Sequence, residues 1–487
     1  MDQAETKDAG SLTLLALAVV AVGLGCGARY ETSVLIHMMD AQETFFRTEV
    51  VPSFTRGSRT RVNVVHMNTV DSIAADVARL GPGAGLIKIP FYQGWGLVER
   101  GVIAPLESLV TAAEMEEIEA TYLLTSLGRK EGKTWFIPRK FETRLMVYSR
   151  KRVAEVVARR HEMRSAVDSA LQRLNGRGLP AAYVFKEDPG QWDFFDLFFA
   201  GYVWSRTTYH GREHGRVAHQ GRRYGGTSQR IVDRVFQCGG SAQDVLLMSG
   251  DAVVDAFEWE AAYALSGVYN PRMWEKGWGS LEIWEGFGNE GVFLSFLTQS
   301  DCFFLHGTGN DGLQGYLDDP ADMGIAVMPA GGSLQLNELG DPLRSGSRAI
   351  TTGGWWWGVA ASSSDTRAAY RLARHITSVN NQIQGCTRFG MIPVRKDILS
   401  DITMMFGGGW VTRIYEASFH QLMHNASTAI PDHPAFGQIA DLYLDAWFDL
   451  AVQRGVDRYG SLEQGYIARR LAEVYAPRVQ GIIAESR

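Results

Sequence analysis

The sequence predicts an α/β fold in which a mostly parallel sheet carries helices on both faces, divided into two or more packed lobes. Three observations predict it. Short apolar runs alternate with segments of helical period from the start of the globular part. Strands that alternate with helices pair in parallel, because each helix carries the chain back across the sheet. A length of 487 residues, 45% hydrophobic and 21% charged, is ordinary globular material and enough for more than one core.

Thr32 to His37 reads as a strand, Ala41 to Val51 as a helix with Phe45, Phe46 and Val50 on one face, and Thr60 to His66 as a second strand. Asp71 to Leu80 is a helix with Ile73, Val77 and Leu80 on an apolar stripe, and Gly85 to Pro90 is a third strand. Ligands of such sheets bind at the C-terminal strand ends, here His37 to Asp40, His66 to Val70 and Pro90 to Trp95. Thr134 to Tyr148 joins two extended segments through Pro138, and Lys151 to Leu174 is helical. Two aromatic tracts follow, Gln191 to Trp204 and Thr352 to Ala361; the second is a strand that leads through Ser362 to Asp365, a helix cap, into a helix from Thr366 to Ser378. Pro434 to Arg454 and Leu462 to Val479 are helical, and the glycine runs at Gly331 and Gly407 are turns.

Ahead of these elements, Ser11 to Cys26 is an uncharged apolar run ending in a Gly-Cys step. It is short for a bilayer span, which takes about 20 residues, and suits the apolar part of a secretion signal. Gly23 and Gly25 before Cys26 resemble the lipobox of bacterial lipoproteins, whose cysteine is lipidated, although that motif usually has Leu where Gly23 stands and a basic rather than acidic lead. Residues 1–28 are therefore expected to be signal and membrane tether, with an uncleaved anchor as the alternative, and the rest to work outside the cytoplasm. A net charge of -6 gives no basic field for nucleic acid. The one basic stretch, Arg206, His210, Arg212, His214, Arg216, His219, Arg222 and Arg223, is expected to be a solvated loop. Lipidation of Cys26 would leave Cys238, Cys302 and Cys386, which fit one disulfide plus a thiol or three buried thiols.

Ser33 to Phe46, Val51-Pro-Ser-Phe-Thr and Arg61-Val-Asn-Val-Val resemble the opening of an extracellular solute-binding protein of an ABC importer, of the maltose-type, sugar-binding branch. Leu97 to Leu106, Gly132 to Pro138 with Met146 to Tyr148, Gly353 to Val359 with Ala368 to Ile376, and Gly390 to Lys396 are similar to later phrases of that family in its order. The resemblance implies a two-lobed periplasmic-binding-protein-like fold of type II, its lobes joined by hinge strands and closing over a solute. It places lobe one at 29–138 plus 358–400 and lobe two at 139–357 plus 401–487. The partners it implies are a small solute, a sugar first of all, and ABC permease subunits, with the chain a monomer, no cofactor and no metal.

Sugar sites pair aromatic faces with carboxylates, amides and guanidinium groups that bond hydroxyls. Among the 13 tryptophans, Trp95 follows the third strand, Trp192 lies where the family has an aromatic platform, and Trp204 ends the same tract. Glu142 follows the crossover proline where the family uses a Glu, Arg144 could pair with it or bind ligand, and Asp301 falls near another family contact. Trp355 and Trp356 are strand neighbours on the return crossover, so one of the two should face the cleft. Asp40, Asn68 and Trp284 complete the candidates; Trp259, Trp274 and Trp278 are expected to pack lobe two.

An enzyme is not expected. Asp193 with Asp196, or Glu142 with Asp301, could supply two carboxyls to a glycosidase, but there is no Gly-x-Ser-x-Gly elbow, phosphate loop or His-Glu-x-x-His motif. His37, His66 and His306 lack metal-ligand spacing, so hydrogen bonding in the core or cleft is their expected role. The function expected is capture of a carbohydrate or related polar solute for a permease. The alternatives are a ligand-sensing lipoprotein for a membrane signalling receptor and a glycoside-acting enzyme.

Overall fold

A computed structural model describes residues 30–486 apart from 207, 210–211, 214–215, 290, 308–314, 400, 402–407, 426–429, 432 and 454–461. Cys26 and the apolar run before it lie outside the described residues, as do His210 and His214. Among the described residues no helix is long and apolar enough to cross a membrane.

Nine strands matter for the site: β1 (Tyr30–Ile36), β2 (Thr60–His66), β3 (Leu86–Pro90), β4 (Ile137–Glu142), β5 (Arg144–Ser149), β6 (Arg216–Ala218), β7 (Val292–Thr298), β8 (Met323–Ala326) and β9 (Gly353–Val359). They form two sheets, ordered β2-β1-β3-β9-β4 and β6-β7-β5-β8. In the first, β1 runs parallel to β2 and β3, as the alternation of elements requires. β6 also runs parallel to β7, but the expectation of mostly parallel pairing fails for the rest: β9 lies antiparallel to both β3 and β4, and β5 is antiparallel to β7 and β8. The reason is connectivity. β9 enters its sheet from the other lobe, so no crossover helix fixes its direction.

The helices needed below are α1 (Asp40–Phe45), α2 (Val51–Ser58), α3 (Ile73–Leu80), α4 (Phe91–Glu99), α5 (Arg150–Asn175), α6 (Phe194–Ser205), α7 (Gly225–Gln237), α8 (Asp251–Leu265), α9 (Gln299–His306), α10 (Thr366–Ile376), α11 (Val379–Phe389), α12 (Trp410–His424) and α13 (Phe436–Trp447). The first helix does not stop near Val51. A π turn over Phe46–Val50 leads into α2, whose first turn holds Pro52. Proline lacks an N–H, and at a first turn that loss costs nothing. α5 begins on Ser149, which caps the Arg152 N–H, and ends at Gly176 with φ 76°.

Separate apolar cores lie around the two sheets. One face of the first sheet packs Val34, Ile36, Leu86 and Trp357 against Phe46, Phe54 and α10, and the other packs Leu35, Ile87 and Ile89 against Ile73, Val77 and Leu97. The second sheet lies in a larger core that takes in α5 to α8 and α13. The chain changes sheet at Thr143 on the way out and returns by Gly353. Arg139 to Glu142 and Gly353 to Trp357, assigned to lobe two from the sequence, thus pair in the first sheet.

Charge is buried in the larger core. Glu260 of α8 accepts from Nη1 and Nη2 of Arg230 at 2.9 and 2.8 Å, from Nε of Arg234 at 3.2 Å, from Tyr269 Oη at 2.8 Å and from Trp447 Nε1 at 2.9 Å. His219 Nε2 lies 3.7 Å from the same carboxylate. His219 is 1% exposed, which corrects the expectation of a wholly solvated basic loop; Arg222 and Arg223 of that stretch do remain exposed, on Glu282 and Asp445. Burial, aided by the Arg230 charge, pulls the His219 pKa down to about 4 against the pull of Glu260.

Unfolded, His219 titrates near 6.5, so between that pH and about 4 the unfolded chain holds the extra proton and stability falls as pH falls. The loss should reach on the order of 3 kcal/mol below pH 4. Urea unfolding across this window should show the slope, and His219→Asn should flatten it.

Candidate functional site

A cavity of about 770 Å³ lies between the two sheets. From the first sheet come Pro90 at the end of β3, Phe91 and Tyr92 at the start of α4, Glu142 at the end of β4, and Gly353 to Trp355 at the start of β9. From the other side come Thr143 and Arg144, Thr298 at the end of β7, the first turn of α7 with Tyr224, Ser228 and Gln229, and the first turns of α13 with Phe436, Gln438 and Asp441. A recess of about 270 Å³ shares Val70, Phe91, Tyr92 and Gly437 with it and runs on beneath Trp95 and Trp356. The site therefore sits at the C-terminal ends of β3, β4 and β7 and at the starts of the antiparallel β5 and β9 beside them, where loops are open to a ligand.

Strand alternation decides between the paired tryptophans. Trp355 lines the cavity, with Lys88 Nζ 3.5 Å from its ring centroid. Trp356 points the other way, 3% exposed, stacked 3.8 Å from Phe91 and 5.6 Å from Phe136, and touches only the recess. Gly354, at φ 144°, is required beside it, because a Cβ there would stand 2.3 Å from the Lys140 carbonyl oxygen. Trp95 is half-buried in the recess, edge-on to Phe136.

Glu142 is ion-paired to Lys140. Burial alone would raise its pKa; Lys140, with Lys88 and Arg144, brings it below the ordinary carboxylate value. Arg144 pairs with Asp233 rather than Glu142, donating from Nη1 to Oδ2 at 2.6 Å. The other oxygen of Asp233 accepts from the Thr351 N–H at 2.9 Å and the Thr351 hydroxyl at 2.6 Å, and Gln229 bonds that hydroxyl too. The strand connections at Thr143 and Thr352 are thus tied to α7, while, among the described residues, the later passage from α11 to α12 is not part of this network. Tyr224 precedes α7 with its ring over Gly226, where a Cβ would approach to 2.6 Å. Burial, reinforced by Asp301, raises the Tyr224 hydroxyl well above its ordinary range.

The other candidates lie elsewhere. Trp192 is fully buried, its Nε1 donating to the Lys186 carbonyl at 2.7 Å and its ring against Phe185, so it is core and not a platform. Trp204 packs between Phe293 and Arg152, and Trp284 stacks on Phe304 at 5.0 Å. Asp301 caps α9, its Oδ2 accepting from the Thr298 N–H at 3.0 Å and hydroxyl at 2.7 Å. Asp40 and Asn68 are exposed and line neither cavity. Trp259, Trp274 and Trp278 pack the large core. Asp193 and Asp196 cap α6 and share Lys186 Nζ at 2.6 Å each, which occupies the pair considered for glycosidase work. His37 bonds the Met67 carbonyl and His66 bonds Glu43, while His306 stacks on Trp410 at 3.9 Å. Cys238, Cys302 and Cys386 are three free, buried thiols.

Phe91 and Tyr92 fall within the Pro90 to Trp95 strand end expected to meet ligand, whereas the sequence reading passes over Tyr224, Gln229, Gln438 and Asp441. The Tyr224-Gly-Gly step was a signal for α7, since paired glycines at a helix start let a side chain fold back. Nothing local marks Phe436 to Asp441.

A two-lobed α/β fold with solute-sized space between its sheets defines a binding-protein class, and known structures share it. Maltose-bound MalE3 of T. maritima superposes with a TM-score of 0.65 at 13% identity, covering 93% of this chain and 100% of that one. The GacH receptor of Streptomyces glaucescens, solved without ligand and with acarbose, gives 0.62 at 12%, covering 94% and 99%. A solute-binding protein of Agrobacterium vitis with bound D-mannitol gives 0.60 at 12%, covering 94% and 98%. No curated protein matches the chain. The family of bacterial extracellular solute-binding proteins matches residues 50–404, and the chain belongs to it.

Asp233→Ala should leave Arg144 and Thr351 without their shared acceptor and cost about 3–5 kcal/mol in unfolding measurements. Asp233→Asn, which keeps the shape and loses the charge, should cost less.

Proposed function

We propose that the chain captures a carbohydrate or related polyhydroxylated solute in the cavity between its sheets and delivers it to an ABC permease. The observation that carries this reading is the lining itself. Flat rings at Trp355, Tyr92 and Phe436 surround a space that also receives Glu142, Arg144, Gln229, Gln438 and Asp441, which can bond several hydroxyls at once. Its volume falls within the roughly 300–1,000 Å³ of small-molecule sites. The proteins solved with maltose and with D-mannitol share the fold and support the same solute class.

Trp355, Glu142 and Arg144 carry the contact in this reading, with Trp95 and Trp356 reached by a solute long enough to enter the recess. Lobe one is the part built on the first sheet, close to 29–138 plus 358–400 with β4 and β9 included, and lobe two is the rest. Groups from both lobes line the cavity, so a solute bridging them favours the closed arrangement. Lipidation at Cys26 would hold a monomeric receptor at the membrane and raise its local concentration at the permease.

A thermal-shift panel of sugars and polyols on the mature protein tests the reading, since a solute that binds the folded form raises the midpoint. At least one should shift it. No shift with any of them, together with hydrolysis of a glycoside, would overturn the proposal. For the solute found, Trp355→Ala should weaken binding by about tenfold or more in calorimetry, the loss of one stacked ring.

Mass measurement of the protein purified from membranes should give a chain that starts at Cys26 and carries acyl groups.

A further inference from the structure

Behind the cavity wall, on β4, lies a buried cation whose hydrogen bonds are incomplete. Arg139 is 5% exposed, and among the described residues its Nε and Nη1 have no acceptor; Nη2 reaches only the Met38 sulfur at 3.9 Å. Buried charges are paired, because an unpaired guanidinium forfeits its hydration. Two further basic groups stand in the same cluster, Lys88 at 3% and Lys140 at 7% exposure. The one acid acting on Arg139 is Glu142, which is already ion-paired to Lys140. Arg139 and Lys140, with the Lys88 amine beside them, thus have one carboxylate among them.

Arg139 borders a small cavity of about 30 Å³. That is room for one or two water-sized spheres and too little for a tetrahedral oxyanion. Its wall includes Gln42, Asn381 and Gln382 among apolar side chains such as Met38, Phe46, Ile376 and Phe389. Asn381 donates to the His375 carbonyl and Gln382 to the Arg139 carbonyl, and each amide NH2 carries a second hydrogen. Arg139, Gln42, Asn381 and Gln382 thus bring donors to a wall that is otherwise apolar, with an excess of positive charge beside it. Water would satisfy the N–H groups and leave the charge excess in place; a monoatomic anion answers both.

We propose that this cavity is a structural halide site, with the ion held by Nε and Nη1 of Arg139 and by side-chain amides, and chloride its ordinary occupant. The ion neutralises the cluster from behind, so that Glu142 is not its sole counter-charge and keeps oxygen lone pairs for the solute cavity it lines.

The test compares the thermal midpoint of the solute-free mature protein in sodium chloride, bromide and gluconate at equal ionic strength. Chloride and bromide should raise it in a saturable way, by on the order of 2 °C over gluconate, which is too large to enter. Arg139→Gln should abolish the difference between the salts. Equal midpoints in all three salts, or a halide effect that survives in Arg139→Gln, overturn the proposal. Should that variant not fold, crystals of the unaltered protein grown in bromide decide: an anomalous peak within hydrogen-bonding reach of Arg139 supports the site, and none overturns it.

Discussion

The structure depends on a set of charges buried along one helix. α7 carries Arg230, Asp233 and Arg234 on an element that is sealed from water beyond its first turn, and each charge meets an acid or base from elsewhere in the chain. Such pairs add little net stability against apolar replacements, because desolvation consumes most of the attraction. Their effect is positional. A helix held by apolar contacts alone can slide or turn by a fraction of a residue; one with a bidentate Arg230 to Glu260 pair cannot without stranding charge. The first turn of α7 faces the cavity, so its register is the register of Tyr224, Ser228 and Gln229.

Asp233 extends that control to the strand connections between the sheets. It holds Arg144 at the start of β5 and Thr351 just before β9, so both passages are referenced to one carboxylate. A movement of one sheet against the other would bend the chain near Thr143 and Thr352, on the first-sheet side of those anchors, and also where it passes from α11 to α12. Glu142 and Gly353, which pair across β4 and β9, lie beyond them. The residues that could bridge a solute to both sheets therefore divide cleanly, with Glu142 and Trp355 travelling with one sheet and Arg144 and α7 with the other.

The β-α-β opening was legible because its apolar periods are strict and its turns short, and alternation along a strand required one of Trp355 and Trp356 to face the cleft without saying which. The antiparallel entry of β9 was not, since direction depends on which lobe the chain arrives from and no local pattern records that. Trp192 and Trp204 misled for a physical reason. A tryptophan has the same flat apolar faces whether it stacks on a sugar or on Phe185, and only the fold decides which surface meets it. Asp301 likewise reads as a polar contact until Thr298 is seen three residues before it as its capping partner. Gln438 and Asp441 reach the cavity from a helix far along the chain, and their position follows from packing rather than from any motif.

Trp355 shows how the buried charge and the cavity act together. Its ring is approached by the Lys88 ammonium at 3.5 Å, and its backbone is fixed between Pro90 on one side and Lys140 on the other. Lys88 in turn donates to the His37 carbonyl, so the cation cannot drift with solvent. Burial, with repulsion from Arg139 and Lys140, pushes the Lys88 pKa well down, and the ring face and Glu142 are what it has to offset that. The arrangement restrains the tryptophan in the absence of solute, through the Lys88 contact on its ring and strand pairing on both sides of its backbone. A side chain already restrained loses less rotamer freedom on binding, which otherwise costs about 0.5–1.5 kcal/mol per ordered group. In the proposed reading, where Trp355 stacks on the solute, the cation cluster behind the wall would contribute to affinity without touching the solute, by holding that surface in place.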